Sequence, residues 1–300
     1  MTRRAEIKTI ASARTEMTLV LSGSEVILPG LEADRILCFA LGLSRAFLLT
    51  NTDTVLSDSD FSKLIDLSVR RASGEPLAYI QNDAIFCGRN FFVDSRVLIP
   101  RPETEILTSI ADGFLKNFPH AVFADWCAGS GCISVTLLAQ NASSRAYAVD
   151  ISNDALEVAR INAGRYSVDD RLFFLCRADP LEVDAIPFSS LDMIVANPPY
   201  IPCREINSLE RQVRDHEPTI ALDGGEDGIE VYRLLLRGLP RLMKPGGLLL
   251  CETGGEAQAE EIVRLAGDVS DELSFDSVFR DHRAINRYVL WRKRGTWSRI

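Results

Sequence analysis

The tetrapeptide Asn197-Pro198-Pro199-Tyr200 combines residue types that can do chemistry. It closes a short apolar run, Leu191-Asp192-Met193-Ile194-Val195-Ala196, that reads as a buried strand. Neither proline can donate to a strand ladder, so the strand stops there and Asn197 is held at its carboxyl end. Ligands of open α/β sheets bind at that edge. The Asn197 oxygen and the Pro198 carbonyl can accept both hydrogens of a planar NH2 group. Pro199 lies beside them, and the Tyr200 ring can stack on the group's face. Such a set suits methyl transfer to an amide or exocyclic amine nitrogen. By itself the tetrapeptide also fits a turn in which Asn197 caps and Tyr200 packs on the core.

A second set of residues falls on the ends of earlier strands. Ala121-Val122-Phe123-Ala124-Asp125 reads as a strand, Trp126-Cys127-Ala128-Gly129-Ser130-Gly131 as a tight loop, and Cys132 as the start of a helix. Glycine lets backbone approach a ligand closely. Nineteen residues after Gly131, Asp150 ends the next strand, where an acid reaches the two hydroxyls of a ribose. A third strand ends in Arg177-Ala178-Asp179, where an acid or its backbone meets an adenine edge. The dinucleotide fingerprint G-x-G-x-x-G is absent. A ligand with ribose and adenine but no pyrophosphate fits better, namely S-adenosylmethionine, which leaves as S-adenosylhomocysteine.

The elements that must position these residues follow from periodicity. Residues 1–83 read as helical, with apolar spacing over 31–41 that stops at Gly42. A second helix is expected after the caps Ser57-Asp58-Ser59-Asp60, with Arg70-Arg71 as its solvated end. Residues 84–99 suggest a hairpin that links two domains. From there to residue 300, strands are expected at 121–127, 145–150, 172–177, 191–196, 247–252, 275–280 and 287–292. Helices are expected at 103–116, 131–140, 153–163, 227–242 and 256–266. This alternation means an α/β fold with a parallel sheet covered on both faces. The last two strands, joined by a short link, should be an antiparallel pair.

Composition narrows the function. A net charge of −9 argues against a dedicated nucleic-acid surface. No apolar run approaches the ~18 residues of a membrane span. Arg3, Arg4 and Lys8 are not followed by a signal-length apolar stretch, so a cytoplasmic protein is expected. The seven scattered cysteines lack C-x-x-C spacing and read as reduced, mostly buried thiols. The three histidines lack metal-ligand spacing, and no metal is expected.

In these motifs the chain resembles the class I S-adenosylmethionine-dependent methyltransferases. More narrowly, it is similar to the peptide chain release factor glutamine-N5 methyltransferases, the HemK/PrmC family. The likeness rests on Gly74-Glu75-Pro76-Leu77-Ala78-Tyr79-Ile80, Ile99-Pro100-Arg101-Pro102-Glu103-Thr104-Glu105 and Asn197-Pro198-Pro199-Tyr200-Ile201. Glu217-Pro218, Ala221-Leu222-Asp223-Gly224-Gly225 and Asp227-Gly228 extend it. The resemblance implies a seven-stranded Rossmann-like methyltransferase domain over 100–300, behind a linking hairpin at 84–99 and a small helical substrate-binding domain at 1–83.

The implied substrate is the glutamine of the release factors' Gly-Gly-Gln motif, with the enzyme a monomer. Cys127, Ala128, Gly129, Ser130, Gly131, Asp150, Asp179 and Asn197 would contact the cofactor. Asn197, Pro198 and Tyr200 would be catalytic, with Pro199 and Arg101 also on the substrate. Arg101 fits a substrate contact as well as it fits an ion pair with Glu103 or Glu105. Glu217 fits a brace for the NPPY loop as well as a helix cap, and Trp126 reads as core.

The family usually has glycine where this chain has Cys127, so negative φ is expected there if affinity is to survive. The link before the last strand, Arg283-Ala284-Ile285-Asn286, also lacks a frequent glycine. An adenine-N6 methyltransferase acting on DNA or RNA remains the alternative, because NPPY serves an exocyclic amine as well. Against it stand the acidic balance and the lack of a basic target-recognition domain.

Overall fold

The computed structural model describes residues 7–295; Arg3 and Arg4 lie outside them. The chain divides into two compact units. One comprises residues 7–83 together with 210–216, the other 84–209 with 217–295.

The first unit is helical: α1 (Ile10–Ser22), α2 (Pro29–Leu41), α3 (Arg45–Thr50), α4 (Asp58–Ala72) and α5 (Leu77–Gln81). A capping box starts α1, in which the Thr9 hydroxyl accepts from the Ser12 N–H and the Ser12 hydroxyl accepts from the Thr9 N–H. Helix α4 is capped by Ser57, which accepts from the Asp60 N–H. Ile10, Met17, Leu21, Ile36, Leu37, Leu64 and Leu67 make the core. Arg71 corrects the reading of a solvated helix end. It is an ion-pair partner of Glu32 on α2, and both side chains are largely buried.

The second unit opens with the hairpin β1 (Ala84–Phe86) and β2 (Arg89–Phe91), followed by α6 (Pro102–Leu115). Then come β3 (Val122–Trp126), α7 (Cys132–Gln140), β4 (Arg145–Asp150), α8 (Asn153–Arg165), β5 (Leu172–Cys176) and β6 (Leu191–Ala196). The short α9 (Arg211–Arg214) belongs with the helical unit. After it run α10 (Glu230–Gly238), β7 (Met243–Glu252), α11 (Glu256–Val269), β8 (Leu273–Arg280) and β9 (Asn286–Lys293).

Seven strands form one sheet in the order β5-β4-β3-β6-β7-β9-β8. The first five are parallel and β9 is antiparallel to both of its neighbours, as the short link before it predicts. Side chains alternate between two apolar layers. Phe123, Met193, Val195, Leu248 and Leu250 face one core with Leu107, Leu137 and Leu156. Ala124, Ile194, Ala196 and Leu249 face the other with Tyr232, Leu236 and Ile262. Burial on both faces explains why these strands read as apolar runs without alternation. The strand order reverses between β3 and β6, which opens a crevice at their carboxyl ends.

Candidate active site

A cavity of about 240 Å³ occupies that crevice. Arg101, Cys127, Ala128, Gly129, Ser130, Asp150, Asn197 and Pro199 line it, so most of the residues singled out by sequence meet there. Gly131, Asp179, Pro198 and Tyr200 are not in its wall.

The loop after β3 is shaped from within. The Asp150 carboxylate accepts from the Gly129 N–H at 2.9 Å through Oδ2 and from the Ser152 N–H at 2.9 Å through Oδ1. Each oxygen keeps a second lone pair for a ligand hydroxyl. Burial pushes the Asp150 carboxyl up, while these backbone N–H groups pull it down. A Cβ on Gly129 would meet nothing within 4 Å, so the wall beside Asp150 is bare backbone. Gly131 serves packing. With φ 73° it begins α7, and a Cβ there would lie 3.0 Å from the Ala159 Cβ. Bare backbone, an acid with open lone pairs and the apolar walls given by Ile133, Ile151 and Leu234 fit a nucleoside such as that of S-adenosylmethionine.

Asp179 does not reach the cavity. Its side chain accepts from the Leu181 N–H and caps the turn over Pro180–Glu182. Its neighbours Arg177 and Ala178 line the cavity instead.

Asn197 leaves the carboxyl end of β6 half-buried. Its Nδ2 donates to the Thr104 Oγ1 at 3.1 Å. Its Oδ1 has no hydrogen-bond partner among the described residues. Pro198 is buried, and the Tyr200 ring packs on the Gly254 backbone, where a Cβ would lie 3.1 Å from Tyr200 Cδ2. Burial pushes the Tyr200 hydroxyl up to about 12. The loop is stitched to residues 222–228: the Ile201 N–H donates to the Leu222 carbonyl and the Gly224 N–H to the Ile201 carbonyl. Gln258 Nε2 donates to the carbonyls of both Tyr200 and Gly228, at 3.0 Å each. Gly224 is required by closeness, since a Cβ would lie 2.9 Å from the Tyr200 carbonyl carbon and 2.8 Å from the Gly228 oxygen.

Arg101 pairs with Glu217, not with Glu103 or Glu105. Glu217 is buried and also accepts from the Ile99 N–H, so it braces the 99–101 segment instead of capping a helix. Trp126 is only 2% exposed, as a core residue should be, yet it also borders the cavity. All seven cysteines are free, but only Cys132 and Cys251 are fully buried, and Cys203 is exposed.

Two family profiles match the chain. One, described as PrmC N-terminal domain, covers residues 12–81; the other, described as Methyltransferase small domain, covers residues 102–213. A release factor glutamine methyltransferase from Nitratidesulfovibrio vulgaris is 39% identical over 273 residues, 91% of each chain. One from Geobacter sulfurreducens is 38% identical over 260 residues, 86% of this chain and 89% of its own. The chain belongs to the release factor glutamine methyltransferase family.

At both places where the resemblance leads one to expect glycine, the backbone holds a left-handed residue. Cys127 has φ 62° and Ala284 has φ 62°. The expectation of negative φ at Cys127 is therefore overturned: the backbone keeps the left-handed conformation that glycine adopts freely, and the side chain bears the strain. Sequence reasoning also missed Thr104. It stands inside the Arg101-Pro102-Glu103-Thr104-Glu105 motif, but only the fold shows that it faces Asn197 across 93 positions.

Proposed function

We propose that this chain transfers a methyl group from S-adenosylmethionine to the side-chain amide nitrogen, N5, of the glutamine in the Gly-Gly-Gln motif of peptide chain release factors. The observation that carries this reading is the state of Asn197. Its NH2 end is tied to Thr104, which leaves the acceptor oxygen for a substrate N–H. No donor among the described residues reaches the Pro198 carbonyl, the second acceptor of the pair. Family membership supplies the substrate class.

When bound, S-adenosylmethionine supplies an electrophilic methyl on a sulfonium. The chain's part is to hold the two reactants in line. Asp150 takes the ribose hydroxyls, and the Cys127–Ser130 wall takes the nucleoside edge. An amide nitrogen is a poor nucleophile because its lone pair is delocalised. Asn197 and the Pro198 carbonyl accept its two hydrogens and fix its plane, and alignment of this kind lowers a barrier by up to ~7–11 kcal/mol. Positive charge grows on the nitrogen during transfer, so acceptors facing it stabilise the transition state, and the surplus N–H proton leaves to water after transfer. Tyr200, anchored on Gly254, holds the loop from behind. Arg101, which lines the cavity and pairs with Glu217, is read as a further substrate contact.

The helical unit is read as a surface for the release factor, and the enzyme as a cytoplasmic monomer. Among the described residues no helix is long and apolar enough to cross a membrane. The test is transfer of labelled methyl to purified release factor, with mass spectrometry of the modified residue. Label on the Gly-Gly-Gln glutamine is expected; label on an adenine of added DNA or RNA, and none on the protein, overturns the reading.

A further inference from the structure

We propose that Gln258 is a positioning residue for the methyl transfer, because it fixes the loop that carries the two acceptors, Asn197 Oδ1 and the Pro198 carbonyl. This inference rests on the proposed glutamine methylation.

Gln258 is the third residue of α11, half-buried, with Gly255 as the N-cap. A glutamine at that place ordinarily reaches back to the N–H groups at the helix start, which need an acceptor. Its Oε1 does this, accepting from the Gly254 N–H at 2.7 Å. Capping makes no use of the other end of the amide. Here that end is fully used: Nε2 has two hydrogens, and it donates to the carbonyls of Tyr200 and Gly228 at 3.0 Å each. All three partners are backbone groups of fixed polarity, so the amide has a single orientation. One side chain thus joins the NPPY loop, the turn at 224–228 and the segment that follows β7.

The joint is close-packed. A Cβ on Gly228 would lie 2.7 Å from the Tyr200 oxygen and 3.1 Å from Gln258 Nε2. A Cβ on Gly254 would lie 3.1 Å from Gln258 Oε1 and 3.1 Å from Tyr200 Cδ2. Gln258 therefore holds Tyr200 twice: at its carbonyl by a hydrogen bond, and at its ring through the Gly254 backbone on which the ring packs. The bonds of Ile201 to Leu222 and Gly224 join the loop to the neighbouring turn. Gln258 ties loop and turn alike to α11, which is anchored in the core by Ala259 and Ile262.

The effect reaches the acceptors through the prolines. Asn197, at one end of the tetrapeptide, follows β6 and is tied to Thr104. Tyr200, at the other end, is tied to Gln258. Between them Pro198 and Pro199 have φ locked at about −65°, so few soft torsions remain and holding both ends holds the Pro198 carbonyl. A misplacement of about 1 Å can cost ~100-fold in rate.

The test uses the full-length protein and three variants, each studied well below its melting temperature so that all are folded. Gln258→Met keeps the length of the side chain and removes its hydrogen bonds. Gln258→Glu keeps the acceptor for Gly254 and removes both donors. Gln258→Lys removes the acceptor and keeps donors. In the first arm, amide hydrogen exchange is followed without cofactor or release factor. Exchange over residues 197–204 should be about tenfold or more faster in Gln258→Met, with β3 and β4 within about twofold of the parent. Unchanged exchange over 197–204 overturns the proposal.

In the second arm, methyl transfer to release factor is measured in single turnovers with saturating S-adenosylmethionine. The rate should fall by about tenfold or more in Gln258→Met and further in Gln258→Glu, with Gln258→Lys above both and cofactor Kd within about twofold throughout. The loss should depend on Asn197: in an Asn197→Ala background, Gln258→Met should cost no more than about threefold. A helix cap alone would leave Gln258→Glu at the parental rate and make the losses equal in both backgrounds. Either of those results, or a parental rate in Gln258→Met, overturns the proposal. Absence of any transfer by the parent overturns the proposed function instead, and the exchange arm still decides whether Gln258 holds the loop.

Discussion

The Asp150 carboxylate receives the Gly129 N–H at 2.9 Å, so the acid that ends β4 also fixes the loop that ends β3. One side chain both lines the cavity and shapes its wall. Asp150→Ala removes the hydroxyl acceptor and leaves the Gly129 and Ser152 N–H groups without their partner. S-adenosylmethionine affinity should fall by ~1–3 kcal/mol in calorimetry, with a lowered melting temperature. Unchanged affinity would show that ribose is not held there.

Asn197→Ala should leave β6 and both prolines in place, since the side chain is half-buried and its one hydrogen-bond partner among the described residues is Thr104. Methyl transfer to the release factor should drop by ~100-fold or more, as when an oriented electrostatic group is removed, with little change in cofactor affinity. Asn197→Asp is the sharper comparison, because it keeps an acceptor but loses the donor that Thr104 receives. Near-normal single-turnover rates in the alanine variant would return the loop to a purely structural part.

The strain at Cys127 and Ala284 can be released. A non-glycine residue in the left-handed region costs roughly 1–2 kcal/mol, and glycine gives back about 0.4–1 kcal/mol through its freer unfolded chain. Cys127→Gly and Ala284→Gly should each stabilise the protein by up to ~1 kcal/mol in urea unfolding. Cys127→Gly should also keep or tighten cofactor binding, since its side chain borders the cavity. Destabilisation by Ala284→Gly would mean that the turn tolerates its residue better than φ 62° suggests.

Asp125 gives a pH-dependent term. It is fully buried, its Oδ2 accepts from the Ser134 N–H at 2.9 Å and its Oδ1 has no hydrogen-bond partner among the described residues. Burial pushes its carboxyl up to about 7, against the pull of Ser134. A raised folded-state pKa means that the native state holds more protons than the unfolded one between about pH 4 and 7. The contribution of Asp125 to stability therefore falls as pH rises through that window and levels off above it. Stability of Asp125→Asn relative to the parent should improve from pH 4 to pH 7 and then stay constant. Parallel stability curves for the two proteins across that range would refute this.

Much of this was legible in the sequence. Four of the five parallel strands lie within a residue of their expected bounds, because runs such as Leu191–Ala196 are buried on both faces and bounded by prolines or glycines; β7 begins at Met243, four residues before its expected start. Asp150 and Asn197 could be singled out because each ends such a run. What stayed hidden depends on distant pairing. Thr104 reads as one more residue of a helix start, and nothing local says that it meets Asn197 across 93 positions. Asp179 was legible as an acid at a strand end, but the local turn over Pro180–Glu182 takes up its side chain. Glu217 and Arg101 find each other across 116 positions, which no periodicity records. Helix α1, with its polar face of threonine and serine, carried too weak an apolar stripe to stand out.

The detour of residues 210–216 bears on the order in which the protein is made. Those seven residues belong to the helical unit, where a Cβ on Gly74 would lie 3.4 Å from His216 Nε2 and 3.5 Å from the Arg211 side chain. During synthesis the amino-terminal helices emerge first, yet their last segment leaves the ribosome only after β6 has been translated. The part of the chain that begins first is thus among the later parts to be completed, and a gene cut at codon 84 yields no intact half: one fragment lacks its closing piece, and the other carries it with nothing to close.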